Sequence, residues 1–304
     1  MRARFLPLFG LLTLSPAVLP AQTPDVDAAP PPVLVIGHEN LKPGKGSAHE
    51  KVSTGYAALF AKVNPEESWL GLVPISGEDG AFMYIEGYPS FAAAAQSRAK
   101  VAATLAQNVA WSAEMERLDA QNAELRNSSR TSWLVYRPAL SFHPPKLGEV
   151  AKSRLARITT YHIKPGHVPD WTDYLKSLNA ARDKAGASWI SAAVYESTAG
   201  MAAGTFLIFQ FNRNLGEMDE IVAKADERQK AIDTALGGEQ IVKMRRDLIA
   251  GILDQAATTT IYEINKAETK ASPAFATADP DFWSPKPAAA TGKALATKKE
   301  TPKP

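Results

Sequence analysis

The stretch from Asn40 to Glu50, "NLKPGKGSAHE", decides the fold. Gly44-Lys45-Gly46-Ser47 looks at first like a phosphate-holding loop. A Walker-type loop needs G-x-x-x-x-G-K-[ST], so that several backbone N–H groups converge on the phosphates. Glu39 occupies the place of the first glycine, and Gly46 follows Lys45 where a hydroxyl is required. The motif therefore fails at two positions. What the stretch does contain is "LKPG" from Leu41, and 122 residues later the chain reads "IKPG" from Ile163. Each copy follows an apolar run and precedes helical periodicity. Proline ends a strand because it lacks a ladder N–H, and glycine permits the reversal. Ser47, with Glu50 three residues on, reads as a capping box that opens the helix.

At that displacement, with small indels, the register holds along the chain. Ser68-Trp69 meets Ser188-Trp189, each opening a strand-like run, "WLGLVPI" and "WISAAVYE". "AFMYIEGY" from Ala81 meets "TFLIFQFN" from Thr205, and "SWLVYRP" from Ser132 meets "TTTIYEIN" from Thr258. Between the first two strands, Val52, Tyr56, Leu59, Phe60 and Val63 form one helical stripe, matched later by Trp171, Tyr174, Leu175 and Leu178. A longer helical region precedes each last strand, with a break at Gly237-Gly238 in the second. The order β-α-β-β-α-β, met twice, predicts an α+β protein of two tandem ferredoxin-like repeats. Each sheet leaves one face open, and packing sheet to sheet covers both, giving an intramolecular eight-stranded α/β barrel, a pseudo-dimer within one chain. The expected divisions are a signal peptide at 1–21, a linker at 22–32, repeats at 33–145 and 146–268, and a disordered Pro/Ala/Lys-rich tail at 269–304.

A strand followed by "LKPGK" or "IKPGH", an amphipathic helix, a Trp-led strand and an aromatic-rich third strand resembles the dimeric α/β-barrel superfamily. The resemblance spans roughly Val33 to Lys266 and is nearest to the NIPSNAP-like and antibiotic-monooxygenase-like members. It implies a fold far more than an activity, since the superfamily includes cofactor-free monooxygenases, haem enzymes, isomerases and small degradative enzymes. Haem binding in two-repeat relatives uses a His of the second copy, and no position here matches that motif.

The ends and the composition narrow the function classes. "MRAR" followed by "FLPLFGLLTLSPAVLP" and Ala21 reads as a cleaved secretory leader, too short and too proline-interrupted for a spanning helix. The expected location is periplasmic or secreted, with no membrane span after cleavage. There is no cysteine, which removes disulfides, thiolate catalysis and Cys-ligated zinc. Thirty-four basic against 32 acidic residues leave no nucleic-acid footprint. His38, His49, His143, His162 and His167 show no paired metal-ligand spacing, and no cofactor fingerprint is present, so neither metal nor cofactor is expected. In the tail, Phe282 and Trp283 either dock on the domain or engage a partner.

Alternation along the strands picks out candidate site residues. His38 and Asn40 share a phase with Leu34 and Ile36, and match Thr160 and His162. In the third strand Phe82, Tyr84 and Glu86 match Phe206, Ile208 and Gln210, while Met83, Ile85, Leu207, Phe209 and Phe211 form a plainly apolar phase. The apolar phase is expected to pack on helices and the mixed phase to line the space between the sheets. The candidate pocket is then His38, Asn40, Glu86, His162 and Gln210, walled by Trp69 and Trp189. Glu86 stands out as a lone carboxyl among aromatic residues, the setting that raises a carboxyl pKa. Each residue also has a plainer reading: strand-end hydrogen bonding for the histidines, mutual bonding for Glu86 and Gln210, core packing for the tryptophans. Two functions remain open, binding of a small apolar or aromatic molecule between the sheets and cofactor-independent monooxygenase-like or isomerase-like catalysis. A third is an envelope interaction through the tail. Further oligomerisation is compatible with all three.

Overall fold

The structure, a computed structural model, describes residues 25 to 284, so the expected leader and the lysine-rich end lie outside the described residues. The first elements are β1 (Val33–Leu41), α1 (Gly46–Val63), β2 (Trp69–Pro74), β3 (Ala81–Tyr88), α2 (Phe91–Ala106), α3 (Val109–Leu125) and β4 (Arg126–Tyr136). After α4 (Leu147–Lys152) come β5 (Leu155–Ile163), α5 (Val168–Lys184), β6 (Ala193–Ala199) and β7 (Thr205–Asn212). Then follow α6 (Leu215–Ala223), α7 (Ala225–Leu236), α8 (Glu239–Ile252), β8 (Leu253–Lys270), α9 (Pro273–Ala278) and α10 (Pro280–Trp283). The strands close into one antiparallel barrel in the order β1-β3-β2-β8-β5-β7-β6-β4. β1 lies between β3 and β4, and β5 between β7 and β8; the two sets join where β2 pairs β8 and β4 pairs β6. Closure leaves no unpaired edge.

The two KPG turns work as backbone devices. Gly44 has φ of 74° and Gly166 of 86°, the left-handed region that only glycine enters without cost. The capping box does not form: α1 begins at Gly46 with Lys45 at its cap, and Ser47 already lies inside the first turn. Ser90, Asn108 and Asn214 cap α2, α3 and α6 with their side chains. Trp69 opens β2 as expected, but Trp189 opens nothing. It sits 37% exposed in a turn, and β6 begins only at Ala193. The chain leaves α5 through Gly186, φ 65°, and uses the residues up to Ala192 to turn back to the barrel.

In β3 and β7 the expected faces are reversed, whereas the β1 phase of Leu34, Ile36 and His38 faces inward as expected. Met83, Ile85, Leu207 and Phe209 join Leu34, Ile36, Leu72, Leu134, Ile158 and Ile264 in one cluster inside the barrel, while Phe82, Tyr84, Phe206 and Ile208 face the helices. Water is excluded more completely between two sheets than under helices, so the uniformly apolar phase goes inside and the mixed phase outside. On the outer face Val52, Leu59, Val63 and Leu118 knit α1 to α3. Trp171, Leu175, Val194, Phe206 and Ile252 do the same beneath α5 and α8.

The segment from 269 is ordered structure as far as Ser284. β8 runs to Lys270, and Phe275 and Trp283 join the barrel cluster at one end. Trp283 Nε1 donates to the Ala151 carbonyl at 2.8 Å, and Arg154 pairs with Asp279 while its guanidinium covers the Phe282 ring at 3.6 Å. Three aromatic side chains bury enough apolar area to offset the ordering of a short segment. Among the described residues no helix is long and apolar enough to cross a membrane.

Candidate functional site

The polar groups that meet in space lie on the outer face of β1 and β3, beneath α1 and α3. His49 is in the first turn of α1 and 1% exposed. Its Nε2 lies 2.8 Å from Glu39 of β1 and its Nδ1 lies 3.2 Å from Glu268 of β8. Glu39 also accepts from Arg126 at 2.5 Å and from Asn122 at 3.0 Å. Tyr84 donates to Glu268 at 2.8 Å, with Ser53 Oγ 3.4 Å from its hydroxyl.

Glu268 reaches this face because β8 is irregular. Tyr262 and Ile264 point into the barrel, and a regular strand would send Glu268 inward after them. Trp69 pairs with Lys270 and Gly71 with Asn265, so five steps along β8 answer two along β2. The surplus is odd and turns Glu268 outward, as bulges do when they re-aim a side chain. Asn265 holds the bulge by accepting from the N–H groups of Ala267 and Glu268, and Thr269 donates back to the Asn265 carbonyl. Gly71 makes room for it: a Cβ there would stand 2.4 Å from Glu268 Cβ.

A cavity of about 310 Å³ opens beside this cluster, walled by Tyr56, Phe60 and Trp69 and carrying Glu67, Glu86 and Asp119. Burial alone would lower the His49 pKa, but hydrogen bonds and charge from Glu268 and Glu39 raise it to about 9. His49 is therefore an imidazolium at neutral pH. Burial pushes Glu39 up, and the His49 bond with Arg126 and Asn122 more than reverses this, leaving its carboxyl below the usual range. Glu86 goes the other way: burial raises its pKa although Tyr88 donates to it at 2.7 Å. The phenols of Tyr84 and Tyr56 are held protonated by burial and by the neighbouring Glu268 and Asp119 carboxylates.

Of the residues singled out from sequence, only Glu86 and Trp69 come together, on the wall of this cavity. His38 lies on the interior phase with Nε2 buried and unbonded, kept neutral with a pKa of about 4 by burial and by Arg130. Asn40 bonds Glu78 and Asn127 at the strand end. His162 contacts Thr205 Oγ1 at 3.0 Å, and Gln210 accepts from Arg157 at 2.7 Å on the second half of the barrel. Trp189 lies under the Arg228 guanidinium, 5.2 Å from it, on the surface. Sequence reasoning missed Glu39, His49, Tyr84 and Glu268 as a set. His49 and Ser53 extend the buried stripe of Val52, Leu59 and Val63, a polar continuation that could have been noticed. For Glu268 no sequence signal exists, because period-2 counting sends it to the wrong side.

The second half fills the corresponding space differently. At the displacement that aligns the KPG turns, Glu39, His49 and Ser53 fall on Tyr161, Trp171 and Leu175. There Trp171 is 1% exposed and packs on Tyr161 at 4.6 Å and Phe206 at 6.0 Å. A buried ionic cluster rarely stabilises more than well-packed apolar side chains of similar volume. The fold fills this space with Trp171 and Phe206 in one half, so it does not require the Glu39–His49–Glu268 cluster in the other. The second-half residues do not fit a haem beneath α5, because the fully buried Trp171 and Phe206 occupy that space. Among the described residues no group of His, Asp and Glu is arranged to hold a metal ion.

No protein-family model matches the chain, and no curated protein matches its sequence. Solved structures resemble it at low similarity. An anthrone oxidase-like protein superposes with a TM-score of 0.48 at 11% identity, covering 79% of this chain and 95% of its own. A proposed monooxygenase from Fusobacterium nucleatum gives 0.47 at 11% identity, covering 78% and 94%. A mutant chlorite dismutase from Candidatus Nitrospira defluvii gives 0.43 at 10% identity, covering 78% and 93%.

Proposed function

We propose that the protein is an enzyme that moves a proton on a small neutral aromatic or enolisable molecule bound between the β1–β3 face and helices α1 and α3. The observation that carries this is Glu86, a carboxyl desolvated above its usual pKa range on the wall of an aromatic-lined cavity. A base tuned upward in this way suits proton abstraction near neutral pH. Glu86 takes the proton of an acidic C–H or O–H, and the electron pair stays on the substrate as an enolate or phenolate. The His49 imidazolium, its two N–H groups held by Glu39 and Glu268, stands on the cavity wall as a positive charge fixed in advance of that anion. Return of the proton to another atom of the same molecule completes an isomerisation. A substrate anion that instead meets dioxygen is oxidised by it, the route of a cofactor-independent monooxygenase.

The test is deuterium uptake from D2O into a panel of 1,3-diketones and hydroxylated naphthalenes, followed by proton NMR. The full chain should accelerate exchange in at least one class, with a rate that rises with pH through a limb above the usual carboxylate range. Glu86→Gln should lose roughly 100-fold or more. No acceleration across the panel, or unchanged exchange in the variant, would overturn the assignment.

A second reading, a small apolar or aromatic molecule held between the sheets, is favoured by a separate apolar cavity of about 230 Å³, where Leu34, Ile85, Tyr195 and Phe209 meet Phe275 at the barrel's end. Kinship with NIPSNAP-like and antibiotic-monooxygenase-like barrels, and an origin by duplication, are supported by the two KPG turns and the element order they share. A site of action outside the cytoplasm is supported by the apolar, proline-interrupted start of the chain.

A further inference from the structure

The cavity at the barrel's end lies on the other side of the sheet from the Glu86 site, and its walls are apolar apart from a few groups at its rim. Lys270, the last residue of β8, is the only cation on its lining among the described residues. The Lys270 ammonium donates to the backbone carbonyls of Pro65 and Glu67, which leaves one of its three N–H groups without a partner among the described residues. The nearby Glu67 carboxylate is already engaged by Asn64 at 2.7 Å, Ser97 at 2.6 Å and Tyr88 at 3.2 Å. Burial lowers the Lys270 pKa in spite of Glu67, as expected of a cation whose charge is under-compensated. Beyond it Leu34, Ile85, Phe209, Phe211 and Phe275 offer only hydrocarbon.

We propose that this cavity takes a monocarboxylate with a short apolar body, the carboxylate meeting the free Lys270 N–H and the body lying against Leu34, Ile85, Phe209 and Phe275. This rests on the reading of a ligand held between the sheets and adds the chemistry of its head group. A volume of about 230 Å³ suits roughly ten non-hydrogen atoms, the size of octanoate. A charge-assisted hydrogen bond in a half-buried setting gives the head group its preference, and the apolar body supplies most of the burial.

Octanoate, octanol and octylammonium titrated into the full chain, with methyl NMR as the readout, separate the possibilities. Octanoate should bind at least tenfold more tightly than octylammonium and shift the methyl signals of Leu34 and Ile85, leaving those of Val52 and Leu59 under α1 in place. Lys270→Gln should weaken octanoate tenfold or more while octanol is unchanged, and Lys270→Arg should retain the preference. Equal binding of octanoate and octanol, unaffected by Lys270→Gln, would overturn the carboxylate assignment and leave the apolar-ligand reading standing. Absence of binding by all three would overturn both.

Discussion

Burial and neighbouring charge move two histidines of this barrel in opposite directions, the buried His49 up and the half-buried His38 down. His49 is raised to about 9 by its two carboxylates, so its stabilisation is complete below its unfolded value near 6.5 and is lost as pH climbs towards 9. His38 is lowered to about 4, so the unfolded chain binds a proton that the folded chain refuses, and stability falls as pH drops from about 6.5 towards 4. Between them the two place the stability maximum near pH 6.5. Urea unfolding across this range should show a decline on both sides. His49→Gln should flatten the alkaline limb, worth about 3 kcal/mol, and leave the acid limb intact. An alkaline limb that survives in the variant would mean that the imidazolium is not held as described. Glu86 was legible as a residue because a lone carboxyl between Tyr84 and Tyr88 is conspicuous. Its partners across the cavity were not, since they arrive from α1, α3 and β8, far away in the chain.

At the scale of elements, the strand ends and the KPG turns were readable because proline and glycine act through local backbone geometry. The faces were not. Period-2 alternation tells which side chains share a side, and Met83 with Ile85 against Tyr84 with Glu86 was sorted correctly in that sense. Which side another sheet covers is a property of barrel closure, which no single strand encodes. The β8 bulge is the stronger case, because it exists only in relation to β2. Gly71→Ala would press a methyl against the Glu268 backbone carbonyl, 2.5 Å away, and should cost about 1 to 3 kcal/mol. It should also pull Glu268 from His49, so the imidazole titration measured by NMR moves down towards its ordinary value. Gly44→Ala meets no atom within 4 Å and strains only its φ of 74°, so it should cost about 1 kcal/mol and leave that titration alone. Equal titration shifts in the two variants would deny the bulge its role.

For the whole molecule, the α+β class and the eight-stranded antiparallel barrel follow from apolar runs and turns visible in the sequence, apart from the start of β6. What divides the barrel functionally is a difference between its halves: Trp171, Leu175 and Phe206 fill one outer face, and Glu39, His49 and Glu268 beside an open cavity occupy the other. The proposed role of Glu86 works against stability. Between the usual carboxylate pKa and its own raised value, Glu86 favours the protonated folded state, so ionising it at neutral pH costs the fold free energy. The measurement that tests the assignment most directly is therefore a paired one on Glu86→Gln at neutral pH, proton-exchange rate and unfolding free energy side by side. The expected result is exchange reduced roughly 100-fold or more with stability unchanged or higher. Exchange retained together with a loss of stability would show that Glu86 is a structural residue and that the cavity is not an active site.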